Sequence, residues 1–236
     1  MDVILVPGFW LDASSWDAVL PALRAAGHRP HPMTLPGLES READRSGITL
    51  RDHVAAVVAE IDAHAQSAPV VVVGHSGGGP IVHGAVDARP DKVARAIYVD
   101  AGPLSEGASI NPELPAENGE IPLPDWSLFD EQSLVGLDDE LRAQFRARAV
   151  PTPERVAKDP QQLSDERRYD VPITIITCEF TSDEMRKMIE SDHPYTREVA
   201  KVRNVEMVDL PTGHWPQFSE PEKLADLLVS AVNAAG

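Results

Sequence analysis

Cysteine is nearly absent: Cys178 stands alone among 236 residues, so no intrachain disulfide can form and an oxidising compartment is not suggested. Positive charge is scarce as well, with 21 Lys and Arg against 38 Asp and Glu and a formal net charge of −17. Nucleic acid and anionic membranes both select for basic patches, so neither is expected as a partner. A well-solvated surface accounts for the acidity without any ligand. Long apolar runs are missing, and none approaches the ~18 residues of a membrane-spanning helix. The start, MDVILVPGFW, lacks the basic opening and cleavage pattern of a signal peptide. These absences lead to the expectation of a soluble, cytoplasmic protein.

What is present is an alternation. With 42% apolar residues the chain can bury a sizeable core, and 236 residues suit a single large α/β domain. Short β-branched runs at 3–7, 31–35, 70–73, 93–100, 171–178 and 205–210 read as strands. Helical patterns fall at 14–27, 49–65, 79–89, 182–190 and 220–235. Strand and helix in regular succession imply a mostly parallel sheet of about six strands with helices on both faces, a three-layer α/β/α sandwich. Ser14 or Ser15 is the expected cap of the first helix, and Thr49-x-x-Asp52 forms a capping box for the second. Residues 101–170 break the rhythm: nine prolines fall between 103 and 172, leaving room for one helical stretch near 138–149. This segment reads as an insertion at one edge of a continuous sheet. The acidic run at 138–140 is the start of that helix, and no His, Cys or Asp cluster has metal-ligand spacing.

The stretch APVVVVGHSGGGP carries the chemistry. A nucleophile at a strand-to-helix junction needs a sharp, strained turn, and its neighbours two before and two after must be small. Gly74-His75-Ser76-Gly77-Gly78 meets the G-x-S-x-G pattern of a nucleophile elbow in that setting. A Walker loop and a dinucleotide fingerprint would each need residues that are not there. No cofactor is expected.

On these residues, and over nearly its whole length, the chain resembles the α/β-hydrolase superfamily, here without the family's usual first two strands. The resemblance implies the order nucleophile, acid, histidine. His214, after the last strand in DLPTGHWP, then stands where the family keeps the base that activates a serine. It implies an oxyanion hole made by the N–H of Gly77 and a second N–H from the loop after the first strand, from Phe9 or else Trp10. Pro7 replaces the histidine that usually precedes Gly8 in that loop. The acid has two addresses in the family. One is the turn after the seventh family strand, where Thr181 occupies the aligned position with Glu179 two residues before and Asp183 two after. The other is the end of the strand next to the nucleophile's, where Asp100 stands. Asp100 is preferred, with Asp183 and Glu179 as alternatives, because a carboxylate following AIYV needs a partner.

The resemblance further implies that 101–170 is a cap over the serine. Trp10, His75, Trp126, Phe129 and Trp215 are the expected pocket residues, and no cationic anchor is evident, which favours an uncharged acyl substrate. A serine at position 76 excludes relatives that form an ester to aspartate. The expected activity is hydrolysis of a small carboxylic ester, thioester or lactone through an acyl-enzyme. Cofactor-free C–C hydrolysis, perhydrolysis, lyase chemistry and a slow-turnover ligand-binding signalling role remain open beside it.

Overall fold

A computed structural model describes residues 1–236. The strands are β1 (Asp2–Val6), β2 (Arg29–Pro32), β3 (Val70–His75), β4 (Val93–Val99), β5 (Glu120–Ile121), β6 (Thr152–Pro153), β7 (Ile173–Thr177) and β8 (Val205–Asp209). The helices are α1 (Leu20–Ala25), α2 (Leu50–His64), α3 (Gly78–Ala88), α4 (Asp139–Arg148), α5 (Glu154–Lys158), α6 (Ser182–Glu190), α7 (Pro216–Ser219) and α8 (Pro221–Asn233). Six strands form one sheet in the order β2-β1-β3-β4-β7-β8, and every neighbouring pair is parallel.

The side-chain period of two sends alternate residues of each strand to opposite faces. Ile4, Val6 and Val72 enter one apolar core with Leu50, Val57 and Ile61 of α2 and Ile81 and Val82 of α3. Val3, Leu5, Val71 and Val73 enter a second core with Leu20 and Leu23 of α1 and Leu224 and Leu228 of α8. Both faces of the inner strands are therefore covered, which is why β3 begins as an unbroken run of valines instead of alternating with polar residues. No helix is long and apolar enough to cross a membrane.

Prolines account for most departures from the expected elements. The expected helix over 14–27 is instead a 3₁₀ turn at Ala13–Trp16 followed by α1, with Pro21 in the first turn of α1. Asp12, not Ser14 or Ser15, caps the turn by accepting from the Ser14 N–H. The last helix, α8, keeps close to its expected span of 220–235, and the short α7 precedes it; Pro216 and Pro221 each stand at the start of one. The capping box at Thr49 and Asp52 is present.

Strand β2 runs at 29–32, earlier than expected, and lies at the edge of the sheet. The N–H groups of Arg29 and Met33 donate to Met1 and Leu5 of the β1 side, at 2.8 and 2.9 Å. Positions 30 and 32 then face outward, and both are proline.

After β4 the chain leaves the sheet and returns only at β7. Between them it forms the antiparallel ribbon β5–β6 and the helices α4 and α5. Its return is anchored by buried ion pairs: Arg168 bonds Asp87 of α3 and Glu198, each at 3.0 Å, and Glu198 also meets His83 of α3 at 3.2 Å.

Candidate active site

The site lies at the carboxyl ends of the central strands, where parallel sheets of this type gather their functional loops. Three non-glycine residues there have left-handed backbone: Trp10 after β1 (φ +65°), Ser76 after β3 (φ +51°) and Asp100 after β4 (φ +43°). Such a conformation costs about 1–3 kcal/mol per residue and persists only where the surroundings impose it. At Ser76 they do, since its N–H donates to Val99 O (3.1 Å) and its carbonyl accepts from the Gly79 N–H (2.9 Å). The glycines around it are required by space. A Cβ on Gly74 would lie 2.6 Å from Gly78 O, and one on Gly78 would lie 2.5 Å from Pro7 O. A Cβ on Gly77 would strike the Phe9 ring.

Ser76 Oγ lies 2.7 Å from His214 Nε2. The other ring nitrogen, Nδ1, meets two carboxylates: Asp100 Oδ2 at 2.6 Å and Glu179 Oε2 at 3.0 Å. Asp100 is the shorter and more buried partner, with its side chain 7% exposed against 20% for Glu179. Its second oxygen accepts the backbone N–H groups of Cys178 (3.0 Å) and Glu179 (3.1 Å). Asp183 does not join them; its side chain is 82% exposed and pairs with Arg186, so that alternative falls away. Thr181, at the aligned acid position, caps α6 in a box with Glu184.

Two carboxylates on one imidazole change the charge balance. Burial pushes the Asp100 carboxyl up, while the hydrogen bond and charge of His214 pull the other way. Glu179 is also opposed by burial, but the hydrogen bond and charge of His214 and the hydrogen bond from Ser133 help to outweigh it and hold the carboxyl down to about 2. For His214, burial disfavours the cation, yet the bonds to Asp100 and Glu179 prevail and push the ring up to about 9. Behind it, burial drives His75 down to about 3, so its ring is neutral. Its Nε2–H donates to the carbonyl of His214 at 2.7 Å. The thiol of Cys178 is pushed up by burial and is not a nucleophile here.

The N–H groups of Phe9 and Gly77 donate to no acceptor within the protein, whereas the Trp10 N–H is taken by Thr152 Oγ1 at 3.0 Å. Of the two loop donors the sequence left open, only Phe9 is free. Trp10 is instead fastened to the segment after β4, with its indole N–H on Ile121 O and its carbonyl accepting from Val150, each at 3.0 Å.

A cleft of about 630 Å³ opens over Ser76, lined by Phe9, Trp10, Leu104, Ile110, Leu114 and Phe129 among others. Trp10 and Phe129 thus lie where a pocket role was expected. Trp126, Trp215 and His75 do not line it. Trp126 and Trp215 pack edge-to-face with each other and with Phe145, and Trp215 does so with Phe129, in a cluster behind the wall, because large aromatic rings gain more from mutual burial than from a wet cleft. His75 is fully buried beneath the elbow. Arg197 is the cation on the cleft wall, and it bonds Asp192 at 3.1 Å.

The fold also gathers two groups whose donor atoms could hold a metal: Asp2 with His31 and His64, and Asp100 with Glu179 and His214. Each comes from separate elements, so no sequence spacing could reveal it. In the first, Arg29 bonds both oxygens of Asp2. In the second, the donors are spent on each other. Sequence reasoning missed Ser133, whose hydroxyl bonds Glu179 Oε1. It belongs to no motif and reaches the site only because 101–170 folds back on the sheet.

A model of the alpha/beta hydrolase family matches residues 3–227. The chain is similar to a pyrethroid hydrolase of Sphingobium wenxiniae, at 28% identity across 99% of this chain and 88% of that one. It is also similar to methylesterase 3 of Arabidopsis thaliana, at 24% identity across 98% and 95%. Among solved structures, an Arabidopsis methylesterase superposes with a TM-score of 0.78 at 20% identity over 99% of each chain. That last likeness speaks for the fold alone.

Proposed function

This chain belongs to the alpha/beta hydrolase family, and from that premise we propose that it is a serine esterase acting on an uncharged carboxylic ester through an acyl-enzyme. The observation that carries the reading is the relay from Ser76 Oγ through His214 to Asp100, at 2.7 and 2.6 Å, set beside two unengaged N–H groups. A methylesterase of similar length among the relatives supports the bond type, and a second relative is a hydrolase.

In the proposed sequence, His214 Nε2 takes the proton of Ser76 as Oγ attacks the ester carbonyl. The tetrahedral oxyanion is held by the N–H groups of Phe9 and Gly77, the latter at the N-terminus of α3 where the helix dipole adds to the field. The imidazolium then gives its proton to the departing alkoxide, and water repeats the steps to free the acid. Asp100 holds the Nδ1–H and stabilises the imidazolium. In this reading 101–170 is the cap, and its side chains with Phe9 and Trp10 receive the acyl or alcohol part. The paired carboxylates make the floor anionic and disfavour substrates carrying their own negative charge.

The direct test is the intact mass after a small fluorophosphonate probe. A single adduct supports an activated serine, and a screen of neutral esters then identifies the turnover. An unmodified protein overturns the reading.

Two further outcomes are expected. The base must be neutral to act, and its carboxylate partners raise His214 above its ordinary 6.5. Activity is therefore lost as pH falls through this raised value, so the acid limb of the kcat/KM profile lies alkaline of 6.5. Glu179→Gln removes one of the charges that stabilise the imidazolium and moves the limb about one unit toward acid. A second outcome concerns Gly78. Gly78→Ala sets a methyl against Pro7 O and Val6 O, forcing the elbow away from the loop that carries Phe9. The loss of oxyanion alignment lowers kcat about 10²- to 10³-fold, measured on any ester the wild type accepts.

A further inference from the structure

The turn at 131–137 is exposed along most of its length, yet it is fastened at two points to the loop of His214 and at a third to Glu179 after β7. The His214 N–H donates to Ser133 O at 2.9 Å, and the Gly213 N–H donates to Val135 O at 3.2 Å. The third bond runs from Ser133 Oγ to Glu179 Oε1, while Glu179 Oε2 faces His214 Nδ1 at 3.0 Å. Glycine at 213 is what permits the approach, because a Cβ there would overlap the carbonyls of Ser133 and Val135. Gly136, at φ +80°, is pressed against Ser219 of α7 in the same manner, its missing Cβ only 2.6 Å from Ser219 Cβ.

One residue thus makes two different contacts with the machinery. The backbone of Ser133 holds the backbone of the histidine, and its hydroxyl holds the outer carboxylate of the pair. We infer that Ser133 is a positioning residue, which keeps Glu179 ionised and turned onto His214 Nδ1 and so sets the basicity of the imidazole. A hydroxyl donating to one carboxylate oxygen stabilises the anion and fixes its rotamer, leaving the other oxygen aimed at the ring. The segment leaving β4 would then do more than enclose a substrate. Its docking completes the charge arrangement on which the base depends, and lifting the turn would release both the histidine backbone and Glu179.

The other titratable groups around this centre leave the assignment simple. Asp100 at the end of β4 shares Nδ1. His75 from the elbow is held neutral by burial, and Cys178 after β7 and Tyr195 before β8 are both pushed up by burial and stay uncharged. His193 and Arg197 lie further out along the clefts, with Arg197 tied to Asp192. Beside His214, Ser133 is the side chain that donates to Glu179.

Only the kinetic arm of the test rests on the esterase reading. Ser133→Ala removes the hydroxyl and keeps the two backbone bonds, and Ser133→Thr restores a hydroxyl. The primary readout is the His214 ring titration by ¹H–¹⁵N NMR in the full chain, which needs no turnover. The acid limb of kcat/KM is the second. In Ser133→Ala the His214 titration is expected to fall by about half a unit or more, with the limb following it. Ser133→Thr should return both toward wild type, and Ser133→Ala combined with Glu179→Gln should fall no further than Glu179→Gln alone. An unmoved titration in Ser133→Ala overturns the inference, even if the melting temperature drops, because Ser133 would then be merely structural. Additive shifts in the double variant overturn it as well. A shifted titration in a protein that cleaves no ester and takes no fluorophosphonate would uphold the positioning role and reject the esterase reading.

Discussion

Ser76→Ala is expected to abolish the fluorophosphonate adduct and to lower ester turnover by roughly 10⁵- to 10⁶-fold, the scale at which loss of a nucleophile leaves only binding and oxyanion stabilisation. The size of the effect follows from the elbow. In this reading no second hydroxyl can take over, because the attacking oxygen must reach His214 Nε2 while the substrate oxyanion meets the N–H groups of Phe9 and Gly77, and Ser76 Oγ is the hydroxyl bonded to Nε2. Removing the hydroxyl leaves the turn intact, since its backbone bonds to Val99 and Gly79 do not involve Oγ. The variant should melt within a few degrees of wild type. Substantial turnover in Ser76→Ala, on an ester that the wild type cleaves, would move the chemistry elsewhere.

Asp100→Asn comes next in size, with an expected loss of about 10³- to 10⁴-fold in kcat. An amide in place of Oδ2 can present N–H to Nδ1 and favour the tautomer whose Nε2 carries the proton, which is the wrong one for attack by Ser76. Glu179 could compensate in principle, because it already touches Nδ1, but at 3.0 Å against 2.6 Å it is the weaker acceptor. It also lacks the pair of backbone donors that fix Asp100. Glu179→Gln should therefore cost far less, on the order of tenfold on the plateau above the acid limb, with the limb's displacement toward acid as its main signature and as an offset to the loss near neutral pH. A reversal of the two magnitudes would make Glu179 the principal acid.

The parallel fold was legible because burial on two faces writes itself into the strands as apolar runs, and glycines around Ser76 report a close approach that only tertiary structure could demand. The acid was not legible to the same degree. Asp100 and Glu179 end adjacent strands, β4 and β7, and they converge on one nitrogen through a register that no linear spacing encodes. The aligned position held Thr181, a helix cap, so the pattern pointed beside the residue instead of at it. The aromatic residues misled for a related reason. Trp126 lies in the expected cap segment and Trp215 next to His214 in the chain, but the cluster they form with Phe145 draws them away from the cleft. A serine in a proline-rich segment, such as Ser133, carries no signal until the chain folds back.

The edge of the sheet at β2 bears on how the protein behaves among its own copies. An open parallel sheet ordinarily ends in a row of backbone donors and acceptors that can template another strand, the first step of domain swapping and fibril growth. Here the outward positions, 30 and 32, are both proline, so that rim offers carbonyls with no N–H between them. Half of the hydrogen-bond code for strand addition is missing. The chain can therefore be concentrated, or held part-folded while its long-range parallel pairs form, without this margin seeding a continuous sheet.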